Sequence, residues 1–238
     1  SRDLDPTELS ATHGGEIKVY NRVEEMLADE SIDVVDITSY PAQHKEQAIA
    51  ASRAGKHVIL EKPITLNLED AEEIKNAFDS NNTRSCVCFE LRFISQFTTI
   101  KSIIEEGLIG DIHYGEIDYY HGIGPWYGQY RWNTTRENGG SSLLSAGCHA
   151  LDALLLCMGS EVEEVTAYSA QSSHEIFRKY EYPTTTTTRE ILDPQRSRRQ
   201  VRQRNRLLHA LLLSYPALWQ RGKHSRRQAL FLQTPPPR

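Results

Sequence analysis

Long apolar runs, a basic leader and a dense set of cysteines are all missing from this sequence. No stretch approaches the ~20 consecutive apolar residues that a membrane-spanning helix needs, and the first residues lack the basic and apolar segments of a secretory signal. Four cysteines in 238 residues do not form a disulfide scaffold, which favours a reducing, cytoplasmic location. We therefore expect an ordinary soluble globular protein of one or two domains without a membrane partner.

Glycine-rich and metal-binding motifs are also missing. No Gly-x-Gly-x-x-Gly follows a predicted strand, and Gly122-Ile-Gly124 is followed by proline and aromatic residues rather than by a helix, so it is not a phosphate-binding loop. No Cys-x-x-Cys or His-Glu-x-x-His spacing occurs. We therefore expect no metal site and interpret Cys86 and Cys88 as reduced core thiols.

Charge is divided unevenly, with a break near residue 188. Residues 1–188 contain 30 acidic and 15 basic residues, whereas residues 189–238 contain 2 acidic and 12 basic ones. This basic tail has no clear helix or strand period. It is either a basic arm for nucleic acid or a stretch of non-evolved sequence such as a frameshifted reading frame. We favour the second, and so expect a disordered tail, no nucleic-acid partner and no loss of stability on its deletion.

Strand and helix patterns alternate between residues 17 and 90. Four strands are predicted, at residues 17–20, 33–38, 57–60 and 86–90. The helices between them begin after Asn21, at His44 and after Asn67, and Gly55 ends the second. Repeated strand–helix units indicate an α/β doubly wound sheet of parallel strands. Ligands of such sheets bind at the carboxyl ends of the strands.

A different pattern follows residue 90. A helix marked by Phe97, Ile100 and Ile104 ends at Gly107, and strands at 112–120 and 161–168 lack the crossover helices of the first part. This pattern predicts an α+β domain with a mainly antiparallel sheet. The chain thus divides into an α/β domain at 1–90, an α+β domain at 91–188 and the basic tail at 189–238.

Two motifs carry candidate chemistry. Glu61-Lys62-Pro63 directly follows a predicted strand, where a lysine is suited to acid–base work, although a surface lysine beside a turn has the same sequence. Ser145, His149 and Asp152 lie at i, i+4 and i+7 of a predicted helix and share one face. Polar residues on an otherwise apolar helix form either a buried polar network or a site.

The order of these motifs resembles the glucose–fructose oxidoreductase/inositol dehydrogenase/MocA (Gfo/Idh/MocA) family. The family pattern is Glu-Lys-Pro after a strand and, in the second domain, the Gly-Gly…Gly-x-His-x-x-Asp run found here at 139–152. Residues 38–44 resemble the family's Thr-Pro-x-x-x-His loop, and the resemblance covers roughly residues 1–183. It implies an NAD(P)-dependent oxidoreductase for sugars, polyols or related carbonyl compounds, with a Rossmann domain, an α+β domain and a homo-oligomeric full-length form.

The resemblance also implies roles for individual residues. Lys62 and His149 would be catalytic. The cofactor would contact Thr38, Tyr40, His44, Glu61 and Lys62. The substrate would contact Ser145 and Asp152, and it could stack on an aromatic cluster of Trp126, Tyr127, Tyr130 and Trp132. Packing of this cluster beneath a loop is the open alternative.

Two departures from the family pattern matter. Members that oxidise alcohols usually carry Asp where this chain has Ser145, which keeps open a non-catalytic sugar- or nucleotide-sensing protein. The family's Gly-rich loop would precede Ser1, so we expect a chain truncated at its start that binds NAD(P) weakly. Ser1 and Arg2 would then lie at the end of the second strand, where Arg2 could meet the 2′-phosphate of NADP, which slightly favours NADP over NAD. Without the first strand and most of the second strand of the family's sheet, strand 33–38 would be an exposed edge or would pair with strand 17–20.

Overall fold

The first part of the chain is a parallel α/β unit. The computed structural model describes residues 5–112, 114–120, 131–159, 162–192 and 227–231. Four parallel strands form one sheet in the order β3-β2-β1-β6: β1 (Ile32–Ile37), β2 (His57–Leu60), β3 (Ser85–Val87) and β6 (Arg227–Phe231). Helices α3 (His44–Arg53) and α4 (Leu68–Asn81) connect β1 to β2 and β2 to β3. The predicted doubly wound parallel fold is confirmed.

Local sequence signals fix the ends of these connecting helices. The Asn67 side chain accepts a hydrogen bond from the Asp70 amide at 2.8 Å, which satisfies one of the free amides at the start of α4. Gly55 follows α3 with φ +75°, a left-handed conformation that glycine adopts at little cost. Both ends agree with the sequence-based prediction.

The core lies between the sheet and its helices. Alternate β1 and β2 residues point into it, and α4 covers them with Ile74 and Phe78. The buried cluster consists of Met26, Ile32, Val35, Ile37, Ala48, Ala51, Val58, Leu60, Ile74 and Phe78. Burial of this apolar surface is the main stabilising contribution to the unit.

The segment predicted as a strand at 17–20 is not a strand. Its polar side chains bind Asp29: Lys18 Nζ lies 2.6 Å and Tyr20 Oη 2.5 Å from Asp29 Oδ2. These contacts tie the segment to the loop before β1, so it does not pair with the sheet. Helix α2 (Val23–Leu27) follows as predicted, but Arg22 is its N-cap residue and makes no side-chain cap, so the proposed cap at Asn21 is wrong.

Residues 227–231 of the basic tail occupy the edge of β1. Strand β6 pairs in parallel with β1, with Ile37 opposite Phe231. A paired strand was not expected in a tail predicted to be largely disordered, and the pairing differs from the two arrangements expected for the edge of β1. A strand that satisfies the backbone N–H and C=O groups of β1 removes an exposed apolar edge.

Deleting residues 193–238 tests this pairing. We expect the shortened chain to have a lower melting temperature and to aggregate with increasing concentration, because the backbone edge of β1 loses its partner. Thermal unfolding and light scattering measure both effects. Unchanged melting and a single dispersed species would instead support the expectation that the tail adds nothing to stability.

The second part of the chain is α+β. It contains α5 (Ser95–Glu105), α6 (Arg136–Gly139), a π-helical turn at Leu143–Gly147 and α7 (Cys148–Met158). Strands β4 (Val162–Ala170) and β5 (Thr185–Leu192) pair in antiparallel fashion, as predicted for the type of sheet, and β4 confirms the strand expected at 161–168.

The other predicted strand of this part, at 112–120, is wrong for the residues described there. Residues 112 and 114–120 run along α7 instead of pairing in a sheet. A Cβ atom on Gly115 would lie 2.8 Å from Met158 Sδ and 2.9 Å from Leu154 Cδ1. Contact with the helix surface therefore decides the path of this segment.

By length and composition alone, residues 136–158 pass as a possible membrane span, with a mean hydropathy of 1.4 in an 18-residue window of the helix. Core helices of soluble proteins share this property. Here the run carries the buried polar residues His149 and Asp152, and α7 packs on α5. The run therefore packs within the second part of the chain, although only 28% of its apolar 18-residue window is buried.

Candidate active site

The carboxyl ends of β1 and β2 lie side by side and place Glu61 and Lys62 at the edge of the sheet. The Glu61 amide donates to Ile37 O at 2.9 Å, and the Cys88 amide donates to Leu60 O at 2.9 Å. Sheet pairing thus continues to the last residue before Lys62. The backbone that leads into Lys62 is therefore held in place by the sheet.

Lys62 reaches from the first domain to the second. Its Nζ atom donates a hydrogen bond to the backbone oxygen of Ser145 at 2.9 Å, and its amide lies 3.1 Å from Glu61 Oε2. Ser145 belongs to the π-helical turn before α7, a type of helical irregularity that is frequent at functional sites. The sequence predicted a role for the Ser145 side chain, whereas its carbonyl group is what meets Lys62.

His44, which was predicted to contact the cofactor, is buried between two backbone segments. The residue is fully buried, with Nδ1 2.9 Å from Pro63 O and Nε2 3.1 Å from Ser39 O. Both ring nitrogens of His44 therefore already meet backbone carbonyl groups in this conformation. His44 instead ties the loop after β1 to the turn that carries Lys62. The surrounding carbonyl groups are the tertiary feature that the sequence did not reveal.

Burial of His44 predicts a pH-dependent stability. Burial holds the pKa of His44 below its ordinary value of 6.5, although the three backbone carbonyl contacts oppose this shift. Below that pH the unfolded chain binds a proton that the folded chain does not, so the free energy of unfolding falls as pH falls, by up to about 1.4 kcal/mol per pH unit. We expect His44→Gln to have a shallower slope in urea unfolding between acidic and neutral pH.

The control for this measurement is His13→Gln, because His13 lies exposed on α1 (Pro6–His13). It should keep the wild-type slope. Equal slopes for His44→Gln and the wild type would contradict a neutral, buried His44.

His149 is buried beside Lys62 and is surrounded by aromatic rings and acidic groups. It is 3% exposed, with the Tyr119 ring stacked at 6.0 Å and Phe89 edge-on at 6.2 Å. Its Nε2 atom lies 3.7 Å from Glu90 Oε1. Nδ1 is buried and has no hydrogen-bond partner among the described residues. Leaving such an atom unsatisfied costs about 1–3 kcal/mol, which a ligand hydroxyl would recover.

The charge state of His149 follows from these neighbours. Burial lowers its pKa, the positive charge of Lys62 lowers it further, and Glu90, Glu61 and Asp152 oppose the shift. The ring is therefore neutral near pH 7. A neutral imidazole has one donor and one acceptor nitrogen and can accept a proton.

Asp152 forms an ion pair within the protein. Arg92 Nε lies 2.7 Å from Asp152 Oδ2, and Arg92 Nη2 lies 2.5 Å from Oδ1. The two bonds form a bidentate ion pair, and the substrate contact of Asp152 stays a prediction. Sequence reasoning missed Arg92, although a buried aspartate on an apolar helix calls for a cationic partner.

The remaining predicted site residues are distributed as follows. The Trp132 ring stacks on Tyr40 with centroids 5.6 Å apart, and its contact with a substrate stays a prediction. Thr38 is exposed at the end of β1. Outside the described residues lie Ser1, Arg2, Trp126, Tyr127 and Tyr130. Tyr119, which stacks on His149, was also missed, because nothing in the local sequence marks that contact.

The donor set fits organic acid–base chemistry at this edge. Within the described ranges, no three His, Cys, Asp or Glu residues are arranged to hold a metal ion. Burial raises the pKa of Cys88 to about 12 and that of Cys148 to about 11, so neither is a ready thiolate. A lysine ammonium and a buried imidazole with a free nitrogen suit the reacting end of a nicotinamide and a hydroxyl substrate.

Comparison with known families covers both parts of the chain. Residues 6–89 match the model of the Gfo/Idh/MocA oxidoreductase family with an NAD-binding Rossmann fold. Residues 97–192 match the Gfo/Idh/MocA C-terminal domain. The second match extends four residues past the charge break at 188, into the end of β5.

Individual relatives agree with this match. The scyllo-inositol 2-dehydrogenase (NADP(+)) of Bacillus subtilis is 32% identical over 142 residues, which are 60% of this chain and 39% of the relative. The chain spans about two fifths of the length of the first curated relatives that it matches, 42% and 39%.

Solved structures of two dehydrogenases share the fold. The WlbA dehydrogenase of Bordetella pertussis, in complex with NADH and UDP-GlcNAcA, superposes with a TM-score of 0.68 and 25% identity over 79% of this chain and 57% of that one. The scyllo-inositol dehydrogenase of Lactobacillus casei, with NAD(H) and scyllo-inositol, gives 0.63 and 26% over 79% and 56%. With both family models matched along most of its length, the chain belongs to the Gfo/Idh/MocA oxidoreductase family.

Proposed function

We propose that this protein is an NAD(P)-dependent oxidoreductase that transfers hydride between nicotinamide and a sugar, polyol or related carbonyl or alcohol. The observation that carries the proposal is the convergence of Lys62 and His149 at the domain boundary. Lys62 Nζ is anchored by Ser145 O, and His149 lies one turn further along the same helix with Nδ1 unsatisfied among the described residues.

These two side chains handle the proton. An ammonium has three N–H donors, so Lys62 can bind a substrate oxygen while it keeps its bond to Ser145. In the reduction direction Lys62 donates a proton to the carbonyl oxygen, and in the oxidation direction it takes the hydroxyl proton back. Neutral His149 assists by accepting a hydrogen bond from a substrate hydroxyl through Nδ1. When bound, NAD(P) supplies or accepts the hydride.

Glu61, Thr38 and Tyr40 are the described residues proposed to hold the nicotinamide end of the cofactor. All three lie at or directly after the ends of β1 and β2, where ligands of parallel α/β sheets bind. The weak preference for NADP rests on Arg2 and is supported by the NADP(+) in the name of the Bacillus relative. We also propose a cytoplasmic location and a homo-oligomeric full-length form.

An activity screen tests the proposal. The purified protein is mixed with millimolar NAD+ or NADP+ and with inositols, hexoses and UDP-sugars, and NAD(P)H absorbance is followed. We expect turnover with at least one polyol or sugar. Calorimetric binding of a sugar or nucleotide with no turnover would favour the sensing protein instead. The replacement of the family's usual Asp by Ser145 is the feature that favours that second candidate.

A further inference from the structure

Arg92 and Asp152 form the most deeply buried ion pair among the described residues. Their side chains are 15% and 6% exposed. Both oxygens of the carboxylate are held by the guanidinium group, at 2.7 Å and 2.5 Å. Such a bidentate pair fixes orientation as well as distance. Hydride-transfer chemistry as proposed above gives neither residue a role.

The pair connects the end of the sheet to the helix that carries His149. Arg92 lies in the 3₁₀ turn Glu90–Phe93 that follows β3. Phe89, just before this turn, and Glu90, its first residue, both lie against His149: the Phe89 ring is edge-on and the Glu90 carboxylate is 3.7 Å from Nε2. Asp152 is three residues after His149 and therefore lies on the same face of α7. One short segment thus contacts α7 at two successive turns.

We propose that Arg92 is a positioning residue: by holding Asp152 it fixes the rotation of α7 and keeps His149 beside Lys62. The inference rests on the proposed oxidoreductase function for its catalytic meaning. A slip of one residue along the helix would turn this face by about 100° and move His149 away from the lysine.

The chemistry of the ion pair favours a role in orienting α7 over a role in stabilising the fold. A buried ion pair adds little net stability compared with apolar residues of similar volume, because two charges lose their water. Removing one partner alone is strongly destabilising, since the other charge stays buried. A test must therefore remove both charges together, so that misplacement is separated from unfolding.

The first measurement is kinetic. We expect Arg92→Met/Asp152→Leu to lower kcat by up to about 100-fold with KM changed by less than about threefold, because a displacement of about 1 Å at the reacting groups has this effect. Arg22→Met is the matched control, since Arg22 forms an exposed pair with Glu24. Wild-type kcat in the folded double variant would overturn the proposal.

The second measurement needs no turnover, and so separates this inference from the proposed function. The pKa of His149 is followed by imidazole NMR with and without Lys62→Met, in wild type, Arg22→Met and the double variant. Loss of the Lys62 charge should raise the pKa of His149 in the first two. In the double variant the rise in the pKa of His149 should be less than about half of the rise in the wild type, because the coupling between two charges weakens with distance.

The charges of Glu61 and Glu90 are common to all of these proteins. The charges of Arg92 and Asp152 are missing from the double variant both with and without Lys62, so they also cancel when the effect of Lys62→Met is taken within each protein. Arg92→Lys, which keeps the charge and loses the bidentate fork, replaces the double variant if circular dichroism shows that variant unfolded. If Lys62→Met raises the pKa of His149 in the double variant, or in Arg92→Lys, as much as it does in the wild type, then Arg92 does not set the distance between His149 and Lys62.

Discussion

Lys62→Met should lower kcat at least about 100-fold, with cofactor affinity changed little, because a positioned acid–base group contributes about 10²–10⁴-fold to rate. Methionine keeps the length and apolar stem of the side chain and removes the amine. Lys62 Nζ is the atom that crosses from the end of β2 to Ser145 O on the second domain.

The matched control is Lys101→Met. Lys101 lies on α5 and is 47% exposed, with Glu105 at 3.7 Å. Steady-state kinetics on the substrate found in the screen should show wild-type kcat for this variant, and calorimetry gives the cofactor affinity of both. Retention of most activity by Lys62→Met would remove the lysine from the mechanism, whatever the binding data show.

Leu60→Ala should cost about 2–5 kcal/mol of the free energy of unfolding, the range for truncating a large buried apolar side chain. Leu60 has no exposed surface. It is the last residue of β2, packed in the cluster beneath Glu61 and Lys62. Because domains have only about 5–15 kcal/mol of net stability, this loss should be clearly measurable by urea unfolding.

Leu68→Ala makes the same chemical change at the surface. Leu68 is 67% exposed at the start of α4, so its truncation should change the free energy of unfolding by less than about 0.5 kcal/mol. Similar losses for the two variants would mean that the core around β2 is not packed as described.

Much of the first domain could be predicted from local sequence. Helix α4 has its N-cap at Asn67, and Ala71, Ile74 and Phe78 follow at helical spacings of three and four residues. Strand β2 is a short apolar run followed by Glu61-Lys62-Pro63. Such signals involve neighbours in the chain, so reading the sequence finds them. The strand predicted at 17–20 failed because Asp29 outside the segment, not the β-propensity within it, decides its path.

In the site, too, local sequence predicts some features and tertiary contacts determine the others. The sequence by itself determined which residue types carry the chemistry, because Lys62 follows a strand and His149 shares a helical face with Asp152 through simple periodicity. Only the tertiary structure decided their partners. Lys62 meets a carbonyl 83 residues away, and Asp152 meets Arg92 across 60 residues. No local period encodes such contacts, since they arise when two domains pack and bury polar groups that must then find partners.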